Sequence, residues 1–188
     1  MPDDLLTYFH RAAALVDSTV AAVRPDQFGE PTPCTQWTVK DLINHVLTGN
    51  LYFVSLATGA PPPDRTVDHL GDDHVTAFRQ SLTHVREVFV EPGFLERGVA
   101  TPFGQGTGAV LVDMRFNEFL VHSWDLARAT GQSTDFDHEL ARRSLASFQA
   151  SPMLAAARRE GGPFGVEQPA PESATPADRL AAFVGRPL

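Results

Sequence analysis

Apolar residues recur at intervals of three and four along most of this chain, and that spacing predicts helices. Leu5, Phe9, Ala12, Ala13, Val16, Val20 and Val23 make one stripe through residues 4–23. "RPDQFGEPTPC", with three prolines and a glycine, then breaks the pattern over 24–34. A second helix starts at Thr38, where Asp41 completes a capping-box spacing ahead of Val39, Leu42, Ile43, Val46 and Leu47. Residues 57–71 read as a loop, because three successive prolines cannot continue a helix. Val75, Phe78, Leu82, Val85 and Phe89 form the inner stripe of a third helix over about 72–90.

Gly and Pro make 91–108 irregular, with a short extended piece near "GVATPF". Thr107 is placed to cap a fourth long helix that stops at Gly131. Shorter helices follow. "DHELARRSLASFQAS" is one, Ser151-Pro152 opens another that ends at Gly161-Gly162, and Thr175-Pro176 opens a third over "ADRLAAFVG", after the proline-rich connector 161–174. The expectation is an all-α fold: a four-helix bundle with one long crossover loop and short additional C-terminal helices. One domain spans 1–188, with its core bundle at about 1–131 and a helical extension at about 132–188.

The net charge of −8 narrows the partners, since 23 acidic against 15 basic residues offer a polyanion no landing strip and nucleic-acid binding is not expected. No apolar run approaches the roughly 20 residues that span a bilayer, and the N-terminal stretch has no basic leader. The single cysteine, Cys34, excludes an intramolecular disulfide and fits a reducing cytoplasm.

Candidate chemistry concentrates in "NEFLVHSWDLA", residues 117–127. Side chains four apart on a helix stack on one face, so Glu118 and His122 point the same way, beside Phe116, Phe119 and Leu126. His45, three residues after Leu42, sits at the edge of the second helix's stripe. If those faces meet, His45, Glu118 and His122 make a three-point divalent site with open positions for water or substrate. Spacing leaves the bland accounts standing: Arg115 lies three residues from Glu118 and can pair with it, and His122 can be a core histidine bonded to a carbonyl. Asp125, one turn past His122, either orients that imidazole or is solvated. Cys34, before the second helix, is either a reactive or metal-facing thiol or a small buried turn residue, and the second account is preferred. Trp37 and Trp124 read as core packing, and His10, His69, His74, His84 and His138 as surface residues. No nucleotide-binding or nucleophile-elbow motif is present, and no residue stands out as general acid or base.

"PTPCTQWTVKDLINHV", "EFLVHSWDLARATGQ" and "ATPADRLAAFVGR" together resemble an actinobacterial family of small metal-binding proteins. That family is related to the metal-binding domain of mycothiol-dependent maleylpyruvate isomerase and, more distantly, to DinB/YfiT-like proteins. The resemblance covers nearly the whole chain and implies a DinB-like four-helix bundle. It also implies a metal held by the positions of His45, Glu118 and His122. The isomerase carries an additional C-terminal domain, whereas the tail here is short.

The function expected from the resemblance is that of a divalent-metal-binding protein, Zn²⁺ first and Ni²⁺ or Fe²⁺ otherwise. It would act with a small thiol, mycothiol by the resemblance, on a small electrophile, in transferase or isomerase chemistry. The alternatives are a non-catalytic metal-binding or regulatory interaction domain, and a metal-dependent hydrolase. A homodimer through a helix face is compatible with the pattern, although no stripe marks an interface.

Overall fold

The structure, a computed structural model, describes residues 2–101, 104–151 and 164–188. Four long helices form the body: α1 (Pro2–Ala21), α2 (Val39–Thr58), α3 (His74–Phe89) and α4 (Gly108–Thr130). α1 packs on α3 and α4, and α2 packs on the same two, so α1 and α2 stand at opposite corners. α3 and α4 are opposite likewise, so two connections cross the bundle where one was expected: 22–38, with a 3₁₀ turn at Pro25–Gln27, and the segment from 90 to 107. This is the all-α, DinB-like bundle that the spacing and the resemblance predict.

The helix ends follow local chemistry. Thr38 Oγ1 accepts from the Asp41 amide while Asp41 Oδ2 accepts from the Thr38 amide, so the predicted capping box forms. Gly59 and Gly131 close α2 and α4 in the left-handed conformation. Thr107 occupies the N-cap position of α4 without capping through its side chain. α3 is shorter than the predicted 72–90, because Asp73 accepts from the Thr76 amide as the N-cap and makes His74 the first helical residue. Val75, placed by periodicity on the inner stripe, is only half-buried there. The extended piece near "GVATPF" is one arm of a hairpin, β1 (Gly98–Thr101) paired antiparallel with β2 (Gly104–Thr107).

Two short helices add to the bundle: α5 (His138–Ala150), capped by Asp137, and α6 (Pro176–Phe183), capped by Thr175. They pack on each other and on α4, around Trp124, Ala141, Ala177 and Ala181. Trp124 Nε1 donates to Asp178 Oδ1 at 2.8 Å, so the buried indole is satisfied from the C-terminal helix. The helix expected from Ser151-Pro152 lies outside the described residues.

The main core runs between all four long helices, with Leu42, Ile43 and Val46 of α2 in it, and its aromatic part lies between α1, α3 and α4. Phe9 sits against Phe89 and Phe119 with ring centroids 5.2 and 5.8 Å apart, and Phe94 stacks on Phe89 at 5.3 Å. No described helix is long and apolar enough to cross a membrane.

Candidate metal centre and cavity

The α2–α4 side of the bundle is built differently, from polar groups that find partners inside the protein. Arg115 of α4 is fully buried and lies across α2 at Gly49. Its Nε donates to Asn50 Oδ1 at 2.9 Å, its Nη1 to Glu118 Oε2 at 2.5 Å, and its Nη2 to the Val46 carbonyl. A Cβ at position 49 would stand 2.6 Å from Nη1, so glycine is what lets the guanidinium lie on the helix backbone. Burial pulls the Arg115 pKa below its ordinary value, with Glu118 opposing that shift. The i, i+3 ion pair that the sequence leaves open is therefore present.

One turn from this clasp, His45 of α2 meets His122 of α4. Their rings are edge to face with centroids 5.0 Å apart. Trp37, at the entrance to α2, covers the other side of His45 at 4.3 Å. Its indole is half-buried, packs against the core as expected, and also lines a cavity, so it belongs to the site as well. Burial, helped by the charges on neighbouring His122, Arg115 and Arg65, pushes the His45 pKa down to about 2. His45 is thus a neutral imidazole at any ordinary pH. Among the described residues its ring nitrogens have no hydrogen-bond partner.

His122 is oriented from behind. Its Nδ1 lies 3.1 Å from Asp125 Oδ2. Asp125 is completely buried, which removes the solvated role that spacing allowed. Arg186, from the segment after α6, donates from Nε to Oδ1 and from Nη2 to Oδ2, both at 3.1 Å. Burial disfavours the Asp125 charge, but His122 and Arg186 outweigh it and hold the carboxyl below its usual range. Cys34 Sγ donates to the same Oδ2 at 3.3 Å and accepts from Arg186 Nη2 at 3.4 Å. Burial, with the adjacent Asp125 charge, pushes its thiol up to about 12. The thiol is held protonated in a turn where Thr32 Oγ1 accepts from the Cys34 amide.

A cavity of roughly 1140 Å³ opens beside these groups. His45, Glu118 and Trp37 stand in its wall, with Tyr52, Met114 and Phe148 as the apolar lining. The 59–73 loop closes one side. Asn44 Nδ2 donates to the Val67 carbonyl, Asn44 Oδ1 accepts from the His69 amide, and Lys40 pairs with Asp68 at 2.7 Å. This anchoring brings Arg65 over the Tyr52 ring, 4.4 Å from its centroid.

Two donor sets share His122. The ligand atoms of Cys34, His122 and Asp125 lie within 4.8 Å of one another and could hold a metal ion. Yet both Asp125 oxygens already face Arg186, and a cation placed there would compete with a guanidinium and need a thiol that burial keeps protonated. His45 and Glu118 line the cavity and His122 lies against the His45 ring, so two imidazoles and a carboxylate face one region, less tightly gathered than the Cys34 group. His45 is already neutral, and Glu118 Oε1 is left by Arg115. That donor chemistry fits a divalent ion.

Sequence reasoning missed three participants. Arg186 has no spacing relation to Asp125, Trp37 looked like packing, and Arg115 registered only as a partner for Glu118. His10, His69 and His74 are half-buried rather than on the surface, and His74 packs edge-on against Phe28 with ring centroids 5.0 Å apart.

Residues 9–127 match the family described as the mycothiol maleylpyruvate isomerase N-terminal domain. The chain belongs to that family. Two Mycobacterium tuberculosis proteins, the uncharacterized MT0763 of strain CDC 1551 / Oshkosh and the uncharacterized Rv0738 of strain H37Rv, are each 40% identical over 185 residues. The match covers 97% of this chain and 98% of each of them. The crystal structure of the mycothiol-dependent maleylpyruvate isomerase superposes with a TM-score of 0.67 at 18% identity, covering 84% of this chain and 72% of that one. A mutant of the same enzyme superposes equally well, at 17% identity. At that identity the likeness establishes the shared helical fold.

Proposed function

We propose that this member of the family is a metal-dependent enzyme that uses a low-molecular-weight thiol to transform a small electrophile. The observation that carries this reading is the meeting of His45 and His122, from two different helices, beside a cavity of roughly 1140 Å³. His45, His122 and Glu118 would hold a divalent ion, Zn²⁺ first and Ni²⁺ or Fe²⁺ otherwise. When bound, such an ion keeps a thiol in its nucleophilic thiolate form at neutral pH.

The chain's own groups prepare that chemistry. Asp125 engages Nδ1 of His122 and leaves Nε2 for the ion. Arg115 fixes Glu118 through one carboxylate oxygen, so the other keeps its place at the cavity without a search over rotamers. Trp37 shields His45 from water. The cavity can seat both a thiol and an electrophile, with Gln36 and Arg65 among its polar groups and Tyr52, Phe53, Met114 and Phe148 as apolar surface. Mycothiol is the thiol suggested by the name of the structurally similar isomerase, and a reducing cytoplasm suits a chain with one free cysteine. On this reading the tail folds with the bundle as one unit, tied to α4 through Asp178 and Arg186.

A second reading, a closed metal-binding site without turnover, draws on the compact Cys34–His122–Asp125 group. Elemental analysis of tag-free wild type, His45→Ala, His122→Ala and Cys34→Ala separates the two. Near-stoichiometric metal that survives Cys34→Ala and is lost in both histidine variants, with helicity retained, supports the enzyme. Loss in Cys34→Ala with retention in His45→Ala supports the closed site. A wild type that takes up no Zn²⁺, Ni²⁺ or Fe²⁺ on reconstitution overturns both. Quenching of Trp37 fluorescence by added mycothiol then tests the thiol directly.

A further inference from the structure

Residues 164–188 approach His122 more closely than their place in the sequence suggests. After α6 the chain turns at Gly185, whose φ of 96° and close contact with Gly165 leave no room for a side chain: a Cβ there would stand 2.5 Å from the Gly165 Cα. The segment is held by backbone bonds, with the Gln168 amide donating to the Ala182 carbonyl at 2.8 Å and the Arg186 amide to the Ala181 carbonyl at 2.9 Å. Those bonds aim Arg186 inward, where it is only 7% exposed. Its Nη1 is occupied by the Val184 carbonyl at 3.2 Å, leaving the opposite edge of the guanidinium to Asp125.

We infer that Arg186 is a positioning residue for the candidate metal centre, setting the orientation of His122 by clamping both oxygens of Asp125. Resting on the metal-centre reading above, this inference adds a part that lies beyond the 9–127 span of the family match.

The geometry favours such a role over a simple tail anchor. A carboxylate accepting only from His122 Nδ1 could rotate about its Cβ–Cγ bond and carry the imidazole with it. A planar fork that binds both oxygens forbids that rotation, as a single-point ammonium cannot. Asp125 Oδ2 then stands in one place, 3.1 Å from Nδ1, and the ring plane of His122 is defined with it. Cys34 adds a weak third donor to that oxygen. Groups that engage the far nitrogen of a ligand histidine typically change metal affinity about 10- to 100-fold when removed.

The test uses the full chain as wild type, Arg186→Lys and Arg186→Met, with two readouts. ¹⁵N-histidine NMR on metal-free protein reports the tautomer and order of His122, and competition with a chromogenic chelator reports Zn²⁺ affinity. In wild type, His122 is expected as a single Nδ1–H tautomer. Arg186→Met is expected to broaden or redistribute that signal and to weaken Zn²⁺ binding about 10- to 100-fold. Arg186→Lys keeps a charge against Asp125 and so preserves the fold, and is expected to fall between. If Arg186→Met does not fold, Arg186→Lys decides alone. Wild-type His122 signals and Zn²⁺ affinity in the folded variants would overturn the inference and leave Arg186 a tail anchor. A wild type that binds no Zn²⁺ overturns the metal reading instead, and the His122 signals of the metal-free variants still decide the orienting role.

Discussion

The two sides of α4 are buried by opposite means. Toward α1 and α3 the helix presents Phe116, Phe119 and Leu120 to a dry aromatic core around Phe9, Phe89 and Phe94. Toward α2 it presents Arg115, Glu118 and His122, and each of Arg115 and His122 arrives with a polar partner already in reach. A dry face gains from every buried carbon and tolerates approximate shapes. A polar seam breaks even at best, because desolvating its charges cancels much of their attraction. A helix keeps such a seam when the groups in it have work that hydrocarbon cannot do.

Truncations on the two sides should therefore cost similar stability and different chemistry. Arg115→Ala leaves Glu118 and the Val46 and Asn50 oxygens without their donor, and about 3–5 kcal/mol is expected from denaturant unfolding. Phe89→Ala should lose a comparable 3–5 kcal/mol through its cavity. The difference lies in metal uptake at a temperature where both remain folded: reduced for Arg115→Ala, which frees Glu118, and unchanged for Phe89→Ala. Equal uptake would erase the distinction between the faces.

Gly49→Ala sharpens the comparison within α2. Helix propensity alone would reward the substitution by up to about 1 kcal/mol. The methyl would instead meet Arg115 Nη1, so a net loss of about 1–2 kcal/mol is expected. The loss should vanish in an Arg115→Ala background, and a double-mutant cycle reads that coupling directly. A smaller effect is expected at the tail, where Thr175→Ala removes the hydroxyl that accepts from the Asp178 amide, at a cost of about 1 kcal/mol in thermal unfolding.

The mildest effect is on pH. Arg11 holds Glu139 and Asp137 at 2.6 and 2.5 Å, fastening α1 to α5. Arg11 draws the Glu139 pKa below its ordinary value; at Asp137, burial opposes ionisation but Arg11 and the α5 amides prevail. Both carboxyls are thus depressed in the folded state. Their contribution is full above the ordinary carboxylate range and is lost as pH falls through their folded values. Melting temperatures from pH 7 to pH 3 should drop less steeply for Arg11→Ala than for wild type.

How much of this could be read in advance follows the same division. The four long helices were legible because a dry face repeats at helical spacing, and Thr38–Asp41 and Thr175–Pro176 announced their own starts. His45, Glu118 and His122 were legible as candidates because two of them share a helix face and His45 edges the apolar stripe of the second helix; the resemblance pointed to the same three. Arg186 was not legible. Its partner lies 61 residues away, and no periodicity marks an arginine that turns inward. Gly49 was equally silent, since a helical glycine shows its purpose only once a guanidinium is seen lying on it.

The Arg115 clasp also has a mechanical consequence. Its donors end on Val46 and Asn50, so α2 is riveted to α4 within one turn of His45. Sliding or twisting either helix would shear both of these hydrogen bonds at once, and so the gap between the two imidazoles behaves as a stiff coordinate. A ligand arriving in the cavity meets jaws already set to width, and adapting to it falls to the 59–73 loop and the side chains on the far wall.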